Sequence, residues 1–216
     1  MSQLTYVFTI TILIFITWGC KETIIKEYVP PINSEFATED FDAIPAFSEN
    51  QMLRAVIEIP AGTNLKIEYD KTLQKFVPDQ IDGKNRIVGY LPYPGNYGFI
   101  PSTFMKPSAG GDGDALDVLV ISEAVPTGTV MEILPIAMFG MTDEGEVDNK
   151  IIAIPADSTL QTLKVKDYQD LNTNELKAKF IVQYWFESYK KDAIIENIQW
   201  HNTPATIHEI NKWLVR

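Results

Sequence analysis

Between Arg54 and Ile154 the apolar residues fall in short β-branched runs, and no run is long enough or suitably periodic for a helix. The runs are Arg54–Ile59, Leu65–Tyr69, Asp117–Ser122, Val130–Met138 and Lys150–Ile154, and each is bounded by Gly, Pro or Asp clusters. Strands at such intervals predict a small barrel or sandwich. The last third changes character. Asn172, with Glu175 three residues on, reads as a helix start, and Ala178, Ile181, Val182, Trp185 and Tyr189 then form one apolar stripe. A second helix is expected at Thr203-Pro204, with Thr203 as its cap. Strands followed by helices give an α+β domain.

That domain is expected to span residues 50–216, behind two segments of another kind. Residues 4–18, LTYVFTITILIFITW, carry no charge, and Gly19-Cys20 follows. Fifteen residues are short for a bilayer span, which needs about 20, but they suit the core of an export signal. A small residue before a lone cysteine resembles the cleavage box of bacterial lipoproteins. Residues 1–20 are therefore expected to direct export, with Cys20 lipidated and the protein held at the bacterial cell envelope. Two alternatives stand beside this: an uncleaved apolar anchor, and a cytoplasmic protein whose true start lies further on. Residues 21–49 are polar and broken by Pro30-Pro31, which reads as a tether.

Charge narrows the functions. There are 29 acids against 18 lysines and arginines in 216 residues, a formal net charge of −11. Nucleic acid is excluded as a partner, because affinity for a phosphate backbone needs clustered basic residues. A small phosphate substrate is not excluded, since bound divalent cations can invert the sign of a local site. One cysteine permits no intrachain disulfide and no cysteine-based zinc site.

The most informative stretch is Gly110-Gly111-Asp112-Gly113-Asp114-Ala115-Leu116-Asp117, leading directly into a strand. Three carboxylates within six residues repel one another, so a cation or strong donors should hold them. Such hard oxygen ligands suit Mg²⁺, Mn²⁺ or Ca²⁺. The spacing is not that of an EF-hand. Downstream, Asp143 lies in a turn, and Asp148 and Lys150 are two apart, on one face of the strand they open. Upstream, period two puts Lys66 and Glu68 on one face and Leu65, Ile67 and Tyr69 on the other, while Glu58 interrupts an apolar run. Taken singly, each has an ordinary reading: a solvated acidic turn, a hairpin connection, a strand with one wet face.

Together they do not. Glu58-Ile59-Pro60, Lys66-x-Glu68, Tyr93-Pro94-x-Asn96-Tyr97-Gly98, Asp112-Gly-Asp114-x-x-Asp117, Asp143 with Asp148 and Lys150, and Tyr189-Lys190 occur in this order. The series resembles the family I soluble inorganic pyrophosphatases, from about residue 54 to 192. The resemblance implies a five-stranded OB-type β-barrel with flanking C-terminal helices, and Mg²⁺-dependent hydrolysis of inorganic pyrophosphate to two phosphates, with Mn²⁺ as a possible substitute. It implies metal sites at Glu58, Glu68, Asp112, Asp117, Asp143 and Asp148, with Asp114 as the general base. It also implies that Lys66, Arg86, Tyr93, Tyr97, Lys150, Tyr189 and Lys190 bind substrate. A homo-oligomer is expected. The gap from Arg86 to Tyr93 is one residue shorter than is usual in bacterial members, and an export signal departs from a mostly cytoplasmic family.

Seven acids against four cations leave that constellation at −3, so divalent ions are needed before it can attract a polyanion. Neither histidine, His201 or His208, lies near these motifs in sequence, and no P-loop is present. The rival readings are a catalytically silent metal- and phosphate-binding module, and hydrolysis of a larger phosphoanhydride.

Overall fold

A computed structural model describes residues 40–190 and 193–215. Cys20, the expected export segment and residues 21–39 of the expected tether lie outside the described residues.

Five strands close on themselves through hydrogen bonds. They are β1 (Leu53–Ile59), β6 (Asn96–Phe99), β7 (Asp117–Val120), β10 (Lys150–Pro155) and β8 (Val130–Asp143), joined in that order, with β8 returning to β1. All contacts in the ring are antiparallel except β7–β10, which is parallel. β8 is long enough to change partners along one edge. Val130–Ile133 pairs with β1, and Met138–Asp143 pairs with β11 (Ile195–His201). Two small hairpins lie between β1 and β6: β2 (Ile67–Asp70) with β3 (Lys75–Pro78), and β4 (Gln80–Ile81) with β5 (Lys84–Asn85). A short β9 (Glu146–Val147) folds back on β8. Among the described residues three α-helices join the sheet: α1 (Tyr168–Asn174) and α2 (Leu176–Ser188) precede β11, and α3 (Thr203–Trp213) follows it.

Alternation along the strands builds two cores. On β10, Ile152 and Ile154 join one cluster with Val56, Leu119, Phe139 and the α2 residues Val182, Trp185 and Phe186. Ile151 and Ala153 face the other, with Ile57, Val118, Ile133 and the α3 residues Ile210 and Trp213. β10 is buried at all six positions, and every residue after its first, Lys150, is apolar, as burial on both faces requires.

The expected strands are present with shifted ends, but the C-terminal third is not all helical. β11 lies between α2 and α3, where only helices were expected. Asn172 does not cap a helix; it lies within α1, whose cap is Asp167, and its Oδ1 accepts from Lys179 Nζ at 2.7 Å. The expected stripe on α2 needs one change. Ile181 is 63 % exposed, while Phe186, on the opposite flank of the stripe, is buried. Thr203 begins α3 but does not cap it. Asn202 Oδ1 accepts from Ala205 N, while the Thr203 hydroxyl donates to Ile136 O and ties α3 to β8.

Residues 41–48, read from sequence as the end of the tether, pack on the domain. Phe41 is fully buried, with ring centroids 5.3 Å from Tyr69 and 4.9 Å from Phe76. The Arg54 N–H donates to Ala46 O, which fastens this segment to β1.

Gly98 on β6 packs directly against the β1 backbone. A Cβ there would stand 1.9 Å from Val56 O, so the strands would have to part. Gly98→Ala is expected to destabilise the protein by about 3 kcal/mol, lowering the melting temperature by about 6–12 °C. A calorimetric midpoint within a degree of the parent would show that the two strands separate freely.

Candidate active site

The functional side chains gather where one face of the ring runs out. In the parallel β7–β10 pair, Asp117 stands opposite Lys150, each the first residue of its strand. Period two puts Asp117 on the face of Leu119 and Lys150 on that of Ile152, so the apolar face ends in two charges. Lys150 Nζ donates to Asp117 Oδ2 and, two residues back, to Asp148 Oδ1. From β6, paired with β7, Tyr97 Oη donates to Asp117 Oδ2 at 2.6 Å.

Burial works against the Lys150 ammonium, but Asp117 and Asp148 outweigh it and hold its pKa well above the ordinary lysine range. Burial raises Asp117 above the usual carboxylate value, with Lys150 opposing. Burial also lifts both Tyr93 and Tyr97, so both remain neutral hydrogen-bonding groups.

An aromatic chain carries α2 into the same space. Tyr93 packs on Tyr97 at 5.2 Å and on Trp185 at 4.5 Å, and Trp185 stacks on Tyr189 at 4.7 Å with an interplanar angle of 9°. Tyr189, expected in the core stripe, is therefore the C-cap residue of α2 and lines the cavity. Lys190, next in the chain, donates to Asp143 Oδ2 on the last residue of β8. The other Asp143 oxygen, Oδ1, is buried and has no hydrogen-bond partner among the described residues.

The acidic loop is shaped by its glycines and its own carboxylate. Gly113 sits at φ +89, a conformation open to glycine, and Asp112 Oδ1 accepts from Asp114 N at 2.9 Å. The turn sends Asp114 outward, its side chain 77 % exposed. Across from it, Lys66 and Glu68 pair at 2.5 Å on one face of the β2 segment, as period two predicts. Glu58 Oε1 accepts from Tyr69 N at 2.7 Å.

The resulting cavity is about 400 Å³. Thirteen of the fourteen expected site residues line it: Glu58, Lys66, Glu68, Tyr93, Tyr97, Asp112, Asp114, Asp117, Asp143, Asp148, Lys150, Tyr189 and Lys190. Arg86 does not. It is held beside the cavity by Asp79, with Nη1 to Oδ2 at 3.0 Å, and its charge reaches Tyr93. Glu144 and Glu146, unassigned from the sequence, also line the cavity; their place in the turn with Asp143 was the available signal. Nine carboxylates and three lysines give the lining a formal charge of −6. Asn96 belongs to the same sequence motif but is a structural tie. Its buried amide donates to Ser122 Oγ and Glu123 O and accepts from Ala61 and Val125 N–H groups.

A sequence profile described as inorganic pyrophosphatase matches residues 55–216. The chain belongs to the inorganic pyrophosphatase family. The match carries the resemblance past residue 192 to the end of α3. An inorganic pyrophosphatase of Aquifex pyrophilus is 36 % identical over 180 residues, covering 79 % of this chain and 92 % of that one. One from Synechocystis sp. is 34 % identical over 172 residues, covering 78 % and 93 %. The crystal structure of the Thermus thermophilus inorganic pyrophosphatase superposes with a TM-score of 0.67 at 30 % identity, over 82 % of this chain and 98 % of that one.

The carboxylate-rich donor set fits the divalent metal typical of inorganic pyrophosphatases. All candidate ligands are hard oxygens, and the buried, unpartnered Asp143 Oδ1 offers a lone pair that a cation would satisfy. Among the described residues no three acids or histidines form a ready-made ligand cluster; lysines lie on Asp117, Asp143 and Asp148 instead.

Glu58 has a measurable signature in chelator-treated protein. Burial pushes its carboxyl from the ordinary 4.5 up to about 8. Between those values the folded state binds more protons than the unfolded state, so stability falls as pH rises through that window. Denaturant midpoints should therefore decline from about pH 4.5 to about pH 8, and Glu58→Gln should flatten the decline. Equal slopes in the two proteins would rule this out.

Proposed function

We propose that the protein hydrolyses inorganic pyrophosphate to two phosphates with Mg²⁺. One observation carries the proposal: a single cavity lined by Asp112, Asp114, Asp117, Asp143 and Asp148 together with Lys66, Lys150 and Lys190. The closed ring of five strands supports reading the fold as an OB-type barrel.

In this mechanism Lys66, Lys150, Lys190, Tyr97 and Tyr189 bind the oxygens of the two phosphoryl groups, with Arg86 and Tyr93 at the margin. Asp114 stands at the cavity lining with an exposed side chain, 3.8 Å from Lys71 and tied to neither Lys150 nor Lys190, which suits a base. It takes a proton from the attacking water as the new oxygen–phosphorus bond forms. The bridging phosphorus–oxygen bond breaks, its electron pair leaves with the departing phosphate, and neighbouring lysines stabilise that charge. Glu58, Glu68, Asp112, Asp117, Asp143 and Asp148 would hold the metal, which supplies Lewis-acid polarisation and neutralises the phosphoryl charge. Release of phosphate from Mg²⁺-pyrophosphate by the purified protein is the test. No release would leave the silent binding module; faster release from nucleoside triphosphates would favour the larger anhydride.

The uncharged run 4–18 and Gly19-Cys20 support export, lipidation at Cys20 and a membrane tether leading to the domain at 50–216. Among the described residues no helix is long and apolar enough to cross a membrane. Mass spectrometry of the membrane-bound N-terminus tests the anchor; an unmodified Cys20 thiol there would sink it. Self-association into a homo-oligomer is tested by light scattering, a monomeric mass refuting it.

A further inference from the structure

Asp79 has no role in the site as described, yet it touches two of the cations assigned to the phosphoryl groups. Its Oδ2 accepts from Arg86 Nη1 at 3.0 Å and stands 3.7 Å from Lys66 Nζ. The same three residues are closed into a cycle by their main chains. Asp79 N donates to Lys66 O at 2.9 Å, Arg86 N to Asp79 O at 2.7 Å, and Lys66 N to Arg86 O at 2.9 Å. The β4–β5 hairpin makes this possible. Gln80 pairs with Asn85 and Ile81 with Lys84, and Asp82 and Gly83 turn the chain at positive φ. Residues 79 and 86 thus end as neighbours although seven positions separate them.

The side chains of Lys66, Asp79 and Arg86 are 22 %, 22 % and 25 % exposed. Solvent therefore screens the group less than an open surface pair. Lys66 also has a second carboxylate, Glu68, at 2.5 Å on the cavity side. Lys66 thus lies between two carboxylates, with Asp79 the more distant at 3.7 Å.

We propose that Asp79 is a positioning residue that fixes Lys66, on the cavity wall, and Arg86, beside it, as one cationic unit for the substrate. This rests on the pyrophosphatase reading. Charge and position oppose one another here, which makes the sign of the effect decisive. Removing a negative charge near a polyanion should by itself tighten binding. If Asp79 positions the cations, its removal weakens binding instead, because Lys66 is left to Glu68 alone and Arg86 loses its only ion pair among the described residues.

The test uses the full chain and steady-state phosphate release from Mg²⁺-pyrophosphate. Asp79→Asn should raise KM about tenfold, a scale on which contacting charged residues couple, with kcat within about threefold. In an Arg86→Gln background the same change should shift KM less than about twofold. An unchanged or lower KM, or equal factors in both backgrounds, would overturn the proposal. If Asp79→Asn does not fold by circular dichroism, Arg86→Lys takes its place; it keeps the charge but loses the fork that Asp79 grips, and a parental KM would equally overturn the idea. Calorimetry with Mg²⁺ and imidodiphosphate separates the two readings. A parent that binds this analogue without turning over pyrophosphate sinks the activity, while the about tenfold weaker binding expected of Asp79→Asn still decides the role of Asp79. A parent that binds neither overturns both.

Discussion

Chelation is expected to abolish pyrophosphate hydrolysis completely, and Mg²⁺ to restore it. The reason is electrostatic. The cavity lining carries nine carboxylates and three lysines, and Lys150 and Lys190 are already engaged by Asp117, Asp148 and Asp143. A pyrophosphate entering such a cavity meets net negative charge and finds all three lysines committed, since Lys66 is paired with Glu68. Divalent ions reverse the sign and release those lysines to the substrate. Ca²⁺ should bind the same carboxylates but inhibit, since it takes 6–8 ligands in looser geometry than octahedral Mg²⁺. The measurement is phosphate release during EDTA titration and metal add-back. Full turnover in excess chelator would eliminate the metal-dependent mechanism.

Asp114→Asn should lower kcat by roughly 10²–10⁴, the usual worth of a positioned acid–base group. Metal affinity should change little, because Asp114 projects outward with its side chain 77 % exposed. Asp117 is placed differently. Its side chain is 27 % exposed, and one oxygen receives both Lys150 and Tyr97. Asp117→Asn should therefore weaken metal binding itself, and activity should recover partly at high Mg²⁺. Kinetics across a Mg²⁺ series, with metal binding by calorimetry, separates the two variants. Equal losses of metal affinity in both would show that base and ligand have been exchanged.

Several features of the site are local in the chain and so were legible in it. Period two alone places Asp148 beside Lys150, and Lys66 beside Glu68, because alternate residues of an extended strand share a face. The spacing of Asp112, Asp114 and Asp117 needs only a glycine-rich turn before a strand. What lies between distant segments was not legible. Asp117 meets Lys150 because β7 and β10 pair in parallel, a register decided when the ring closes. β11 escaped notice because Asn197 at φ +54 and a register shift between Glu196 and Gln199 break its alternation. Asn172 looked like a cap because helix-start signals do not reveal whether a preceding helix has already begun.

Arg86 shows the division most clearly. Its sequence distance to Tyr93 set it apart from the pattern of the family, and nothing local connected it to Asp79. The β4–β5 hairpin brings the two into contact and holds Arg86 beside the cavity. The sequence by itself determined which side chains the site could draw on, since residue type and strand period are properties of short stretches. Only the tertiary structure decided which of them share a carboxylate, because ring closure and hairpin return bring together groups that no local pattern relates.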